Sequence, residues 1–147
     1  MKVPLSSETI HASCVAIGGR AVLLAGRSGS GKSDLAMRLI DRGAALVSDD
    51  YTLVRRVEGR LLASPPATIA GRIELRGIGL LTLPFTSDAP VALLIDLDRM
   101  PERLPEADER RTIAGVPLPV IGLAGLEPSA PIKVEQALAL FGTRTRT

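Results

Sequence analysis

Gly26-Arg27-Ser28-Gly29-Ser30-Gly31-Lys32-Ser33 fits the pattern G-x-x-x-x-G-K-[ST] and directly follows the apolar run Ala21-Val22-Leu23-Leu24-Ala25. A short continuous apolar run that ends in such a loop reads as a buried strand feeding a phosphate-binding turn. Each part of the motif answers one need of a bound triphosphate. Glycines let the backbone fold tightly enough to aim several N–H groups at phosphate oxygens, Lys32 brings a point charge to the β- and γ-phosphates, and the Ser33 hydroxyl can ligate Mg²⁺. Every residue in 26–33 is therefore a candidate phosphate ligand. The motif is specific for nucleotide binding and says little about what is done with the nucleotide.

Upstream, residues 10–17 read as one strand, Gly18-Gly19 as a two-residue turn and residues 20–25 as the returning strand of a β-hairpin. If Gly18-Gly19 is the whole loop, Ile17 pairs with Arg20 and Ala16 with Ala21, and the same register sets His11 opposite Gly26. The only histidine of the chain then lies beside the phosphates, although a lone histidine near a chain start equally suits a surface position. Downstream, residues 33–42 carry Leu35, Leu39 and Ile40 at helical spacing, with Gly43 in the C′ position, and Ala44-Ala45-Leu46-Val47 follows as a second apolar strand. This is a βαβ unit whose right-handed crossover lays the second strand parallel to the first. It delivers Asp49 and Asp50 at the carboxyl end, level with the phosphate loop. Both are candidate catalytic acids. Adjacent carboxylates near anionic phosphate repel one another, which suits one of them to accept a proton unless Mg²⁺ or His11 compensates. A solvated turn after a strand is the plainer reading of the same residues.

A second hairpin is expected at residues 52–57 and 60–63 around Glu58-Gly59. After Pro65-Pro66 comes Ile73-Glu74-Leu75-Arg76-Gly77-Ile78-Gly79-Leu80-Leu81, where Glu74 and Arg76 alternate with Ile73 and Leu75 as on a half-buried strand. Val91-Ala92-Leu93-Leu94-Ile95-Asp96 is another buried strand ending in an acid, so Asp96 competes with Asp49, Asp50 and Glu74 for a metal ion. Residues 101–111 read as a charged, proline-interrupted connection and residues 116–123 as an edge strand limited by Pro117 and Pro119. Residues 131–141 read as a closing helix with proline in its first turn. The reading is one α/β domain over residues 1–142, with a mixed central sheet and β-hairpins, and a disordered tail over residues 143–147.

Composition agrees with a single folded domain: 147 residues, 46% hydrophobic and 23% charged, with a formal net charge of +2. The three aromatic residues leave no set of stacking platforms for bases, so nucleic acid is not an expected partner. No uninterrupted apolar segment reaches about 18 residues and the first residues lack the apolar stretch of a signal peptide, so no membrane partner is expected either. Cys14, the one cysteine, cannot form an intrachain disulfide, which fits a reducing cytoplasm.

His11 ahead of GRSGSGKS, then LVSDD, then IELRGIGLL resembles the catalytic core of the HPr kinase/phosphorylase family over roughly residues 10 to 83. The resemblance implies a P-loop kinase fold related to phosphoenolpyruvate carboxykinase. It implies ATP-dependent phosphorylation of a serine on HPr, the phosphocarrier protein of the sugar phosphotransferase system, reversed in many members by phosphorolysis. The role would be regulation of carbon or nitrogen metabolism. By resemblance, Asp50 accepts the proton of the target serine and donates it in reversal. His11 and Lys32 are active-site residues, with Asp49 beside them, and Ser33 and Glu74 hold Mg²⁺. Arg76, Gly77 and Gly79 are expected on the substrate-side loop. The chain starts almost at His11, so it resembles a short form like those of alphaproteobacteria, without the amino-terminal domain of longer members; the hexamer of those members is not assumed, and the oligomeric state stays open. The family's Pro-Gly-Arg-Asn-like segment corresponds here to Glu127-Pro128-Ser129-Ala130-Pro131-Ile132-Lys133, in which no arginine matches and Lys133 lacks the planar bidentate fork.

Two other functions fit the phosphate loop alone: a small-molecule kinase or NTPase, and a non-catalytic nucleotide sensor. The chain has no asparagine, so a guanine-reading Asn-Lys-x-Asp motif is absent. The LVSDD and ELRGIG strings favour the protein kinase, and intact Asp50, His11 and Lys32 argue against a sensor.

Overall fold

The apolar run before the phosphate loop is buried along its whole length because strands flank it on both edges and side chains cover both of its faces. The computed structural model describes residues 6–105 and 109–144. In chain order its elements are β1 (Ser7–Ile10), β2 (Ala12–Ile17), β3 (Arg20–Ala25), α1 (Lys32–Asp41), β4 (Ala45–Ser48), β5 (Thr52–Val57), β6 (Arg60–Ser64), β7 (Arg72–Leu75), β8 (Gly79–Thr82), β9 (Ala89–Asp96), β10 (Arg110–Ile113), β11 (Val116–Gly122) and α2 (Ala130–Phe141). The architecture is α/β around a mixed sheet, ordered β1-β5-β6-β9-β3-β2-β4 with β11 and β10 branching from β9.

The β2–β3 hairpin has the expected register, from Ile17 opposite Arg20 to Ala12 opposite Ala25. Gly18 and Gly19 both hold positive φ, 57° and 84°, as a tight two-residue turn between twisted strands requires. The single strand expected over residues 10–17 is in fact broken at His11. Residues before it leave the hairpin to pair with β5, Ile10 lying opposite Thr52. Helix α1 ends as expected: Gly43 takes φ 110°, its N–H donates to Ile40 O, and the Ala44 N–H reaches back to Leu39 O. Strand β4 runs parallel to β3, but β2 lies between them and pairs antiparallel with both.

Strand β9 is the junction of the sheet. One edge pairs parallel with β3. The other meets β6 at Ala89 and Pro90 and then β11 from Leu94 to Asp96. Alternate residues of the central strands feed two apolar clusters. Val22 and Leu24 join Leu35 and Leu39 of α1 and Val134 and Leu138 of α2. Leu23 and Leu94 join Val54, Leu61 and Ala63 of the β5–β6 hairpin, with Ile113 and Leu118. Cys14 belongs to this second cluster, and burial pushes its thiol pKa far up, which makes it packing rather than a nucleophile.

Two further expectations are corrected. Residues 101–111 do not form only a connection, since Arg110–Ile113 is strand β10, paired with β11. Its turn is Ala114-Gly115, with Ala114 at φ 48°, a conformation alanine rarely adopts. That turn is held by the Glu8 carboxylate accepting the Ala114 N–H at 2.7 Å and by Arg56 donating to the Ala114 carbonyl at 3.0 Å. In consequence β11 is not an edge strand but lies between β10 and β9. The half-buried alternation expected at Ile73 to Leu75 is present in β7, Arg76 falls in the turn, and the segment continues as a hairpin, β7–β8, turned at Gly77 (φ 87°) and forming a separate two-stranded sheet. Of the tail expected at 143–147, residues 145–147 lie outside the described residues; the Thr143 N–H donates to Ala92 O at 2.8 Å. Among the described residues, no helix is long and apolar enough to cross a membrane.

Candidate active site

The loop between β3 and α1 is shaped to take an anion. Gly29 and Gly31 hold φ of 84° and 96°, which turn the backbone back on itself ahead of α1. A Cβ on Gly26 would fall 2.5 Å from Ser30 Oγ, so the loop closes only over a glycine. No side chain caps the first turn of α1, which leaves its N–H groups and dipole directed at the loop. The Ser30 hydroxyl is buried without a hydrogen-bond partner among the described residues. Unsatisfied donors on a concave glycine loop fit phosphate oxygens. Lys32 is 5% exposed and its ammonium donates to Gly26 O at 2.8 Å and Arg27 O at 3.2 Å.

Beside this loop the two adjacent acids after β4 are sent to different partners. The Tyr51 N–H donates to Asp49 O at 2.7 Å across Asp50, whose φ is +65°. This three-residue turn is strained, and aspartate is among the few residues with a side chain that tolerate it. Asp49 is buried and wholly engaged. Its Oδ1 accepts from Ser33 Oγ at 2.6 Å and Ser13 Oγ at 2.9 Å, and its Oδ2 accepts the Glu74 N–H at 3.1 Å. Asp50 is half exposed; its Oδ1 lies 3.0 Å from His11 Nε2 and 3.7 Å from Lys32 Nζ. The repulsion expected between adjacent carboxylates is thus relieved by neutral donors on one and by cationic or polar nitrogens around the other.

His11, Lys32, Ser33, Asp49, Asp50 and Glu74 are therefore gathered at one end of the sheet. Asp96 is not joined to Ser33 in this way. Its Oδ2 pairs with Arg111 at 3.3 Å and its Oδ1 accepts the Asp98 N–H at 2.9 Å. The carboxylate in contact with the loop serine is Asp49. The Glu74 side chain is exposed and makes no hydrogen bond or ion pair among the described residues. Mg²⁺ favours one or two carboxylates together with phosphates and waters, and Ser33 and Glu74 offer oxygen ligands of that kind, with Asp49 already engaged behind Ser33. Arg76 and Gly77 form the exposed turn of the β7–β8 hairpin, and Gly79 opens its second strand.

Sequence reasoning missed three contributors. Ser13 donates to Asp49 and accepts the Asp50 N–H at 3.0 Å, which joins the hairpin to both acids. Only the adjacency of β2 to β4 reveals this. The Tyr51 ring stacks on His11, with centroids 4.9 Å apart and planes at 21°, and fixes the imidazole. Asp98 accepts the Arg27 N–H at 2.9 Å and holds the first turn of the loop. A cleft of about 680 Å³ opens at the far end of β9, beside Arg60, Pro90, Val116 and Thr143. It has none of the loop's anion-binding groups, and phosphate needs aimed N–H groups more than a deep cavity.

Comparison with known proteins gives this chain relatives of one kind. Residues 4–127 match the family model described as HPr Serine kinase C-terminal domain. An HPr kinase/phosphorylase from Clostridium acetobutylicum is 35% identical over 127 residues, covering 78% of this chain and 42% of that protein. Its counterpart from Clostridium tetani is 41% identical over 81 residues, covering 54% of this chain and 27% of that protein. The chain thus spans well under half the length of these curated relatives. The solved structure of the Hpr(Ser) kinase/phosphatase from Coxiella burnetii superimposes with a TM-score of 0.77 at 29% identity, over 90% of this chain and 94% of that one. A phosphate loop with a carboxylate pair beside it and a family match over most of the chain lead to one assignment: the chain belongs to the HPr serine kinase C-terminal domain family.

Proposed function

We propose that this chain is an ATP-dependent protein-serine kinase that phosphorylates an HPr-like phosphocarrier protein. The observation that carries the reading is the position of Asp50, half exposed, 3.7 Å from the phosphate-loop lysine and 3.0 Å from His11. A hydroxyl nucleophile entering from solvent meets this carboxylate next to the site of the transferred phosphate. Asp50 accepts the serine proton, and in the reverse direction, with inorganic phosphate as acceptor, it returns that proton to the serine oxygen. Lys32 and the loop N–H groups supply fixed positive charge where negative charge gathers in transfer. Ser33 and Glu74 would hold Mg²⁺, with Asp49 behind Ser33, and the ion would supply charge neutralisation of the phosphates. His11, stacked on Tyr51, orients the Asp50 carboxylate.

The test is to incubate the chain with radiolabelled ATP, Mg²⁺ and an HPr-like protein from the same organism, using its serine-to-alanine variant as control. Label on the wild-type carrier alone is expected. ATP binding without label on the carrier would instead favour a small-molecule kinase or a sensor. With labelled carrier in hand, release of the label on adding phosphate tests reversal.

The metal assignment makes its own prediction. Glu74→Gln is expected to raise the Mg²⁺ concentration for half-maximal transfer by at least about tenfold. Asp96→Asn is expected to change it by less than about twofold, because that carboxylate is held by Arg111 and the Asp98 N–H. A Mg²⁺ titration of both variants decides between them, and the opposite order assigns the metal to Asp96.

A further inference from the structure

If residues 26–33 hold the phosphates of ATP, the reacting end of the nucleotide is fixed by Asp50 and Lys32. The acids follow β4, which lies on one side of β3 with β2 between them. On the other side of β3 come β9 and then β11, and the loop that leaves β11 carries Leu126. A nucleoside that leads away from the acids within the sheet's edge runs from the phosphate loop toward this second side. Two strand spacings separate β11 from β3, about 10 Å, a span that a ribose and its base can cover.

We propose that Leu126 is the apolar platform on which the base of the bound nucleotide packs, an inference that rests on the phosphate-site reading above. Leu126 is 68% exposed, yet it is not loosely held. Arg38 of α1 donates to the carbonyls of both its neighbours, Gly125 and Glu127, and Lys133 pairs with the Glu127 carboxylate at 3.0 Å. The leucine is also seated directly on the phosphate loop: a Cβ at Gly31 would lie 2.7 Å from Leu126 Cδ2. A scattered exposed leucine needs no explanation. One clamped on both flanks by an arginine, against the glycine that precedes Lys32, presents a fixed apolar surface where the nucleoside emerges. A flat purine ring laid on it removes apolar surface from water on both partners.

The experiment compares two ligands that share phosphate chemistry and differ in the base, MgADP and Mg-pyrophosphate, titrated calorimetrically into the full chain and into Leu126→Ser. The expected result is a loss of about tenfold in MgADP affinity with pyrophosphate affinity unchanged within about twofold. Unchanged affinity for both ligands overturns the proposal, as does an equal loss for both, which would make Leu126 a support for the loop. If the unaltered chain binds pyrophosphate but gains nothing from the nucleoside of ADP, the base platform fails while the phosphate site stands. If it binds neither, both fail together.

Discussion

Asp50→Asn is expected to lower phosphoryl transfer to the carrier protein by about 10²- to 10⁴-fold while leaving MgATP affinity within about threefold. The substitution is a clean one. Asparagine has the same shape and tolerates the positive φ of 65° that the backbone adopts here, so the turn after β4 keeps its form. The Asp50 N–H still donates to Ser13, and Asp49 keeps its three donors. What is lost is the group able to take a proton, together with a negative charge 3.7 Å from Lys32. Single-turnover transfer from labelled ATP measures the first effect and calorimetry the second. Transfer at the unaltered rate would remove Asp50 from the role of proton acceptor.

Lys32→Ala is expected to act on both quantities, weakening MgATP binding by more than about tenfold and lowering transfer by about 10²- to 10³-fold. The ammonium is buried and donates to Gly26 O and Arg27 O, so it is held within the loop. Alanine removes the charge meant for the phosphates and strips two carbonyls of their donor, which also loosens the loop. Lys32→Arg is expected to rescue neither quantity, since a longer planar fork does not fit a site shaped around a compact ammonium. Binding that survives in Lys32→Ala with transfer alone lost would confine the lysine to the chemical step.

Much of this site was legible in the sequence because local rules fixed it. Two glycines at 18 and 19 set the hairpin register down to Ala12 opposite Ala25, and His11, the next residue, lies by Asp50 beside the phosphate-loop lysine. Asp49 and Asp50 were placed by the crossover rule, although β2 occupies the position between β3 and β4. Which acid meets the loop serine was not readable in one dimension, because Asp49 and Asp96 both close apolar runs. The difference lies in tertiary partners: Ser33 and Ser13 face the one, Arg111 the other. Strand β10 was hidden for a related reason. Only Ile113 of its four residues is apolar and buried, the other three being exposed Arg110, Arg111 and Thr112, and its turn is held at an alanine by Glu8 and Arg56, residues distant in the chain. The tight turn signals at Gly18-Gly19 and Glu58-Gly59 needed no such help, and both were readable.

The position of β9 at the junction of the sheet bears on when the chain can bind nucleotide. The phosphate loop is encoded in residues 26–33, but its entry strand is completed by β9, some sixty residues later by sequence position, through Leu97 donating to Ala25 O at 2.8 Å and Asp98 gripping the Arg27 N–H. Strand β9 in turn pairs with β11, later still in the chain. Pairings of such separation are the slow steps of folding. A chain still emerging from the ribosome carries the motif before β9 and β11 are there to complete its surroundings, so nucleotide affinity is expected to appear with completion of the sheet rather than with synthesis of the loop.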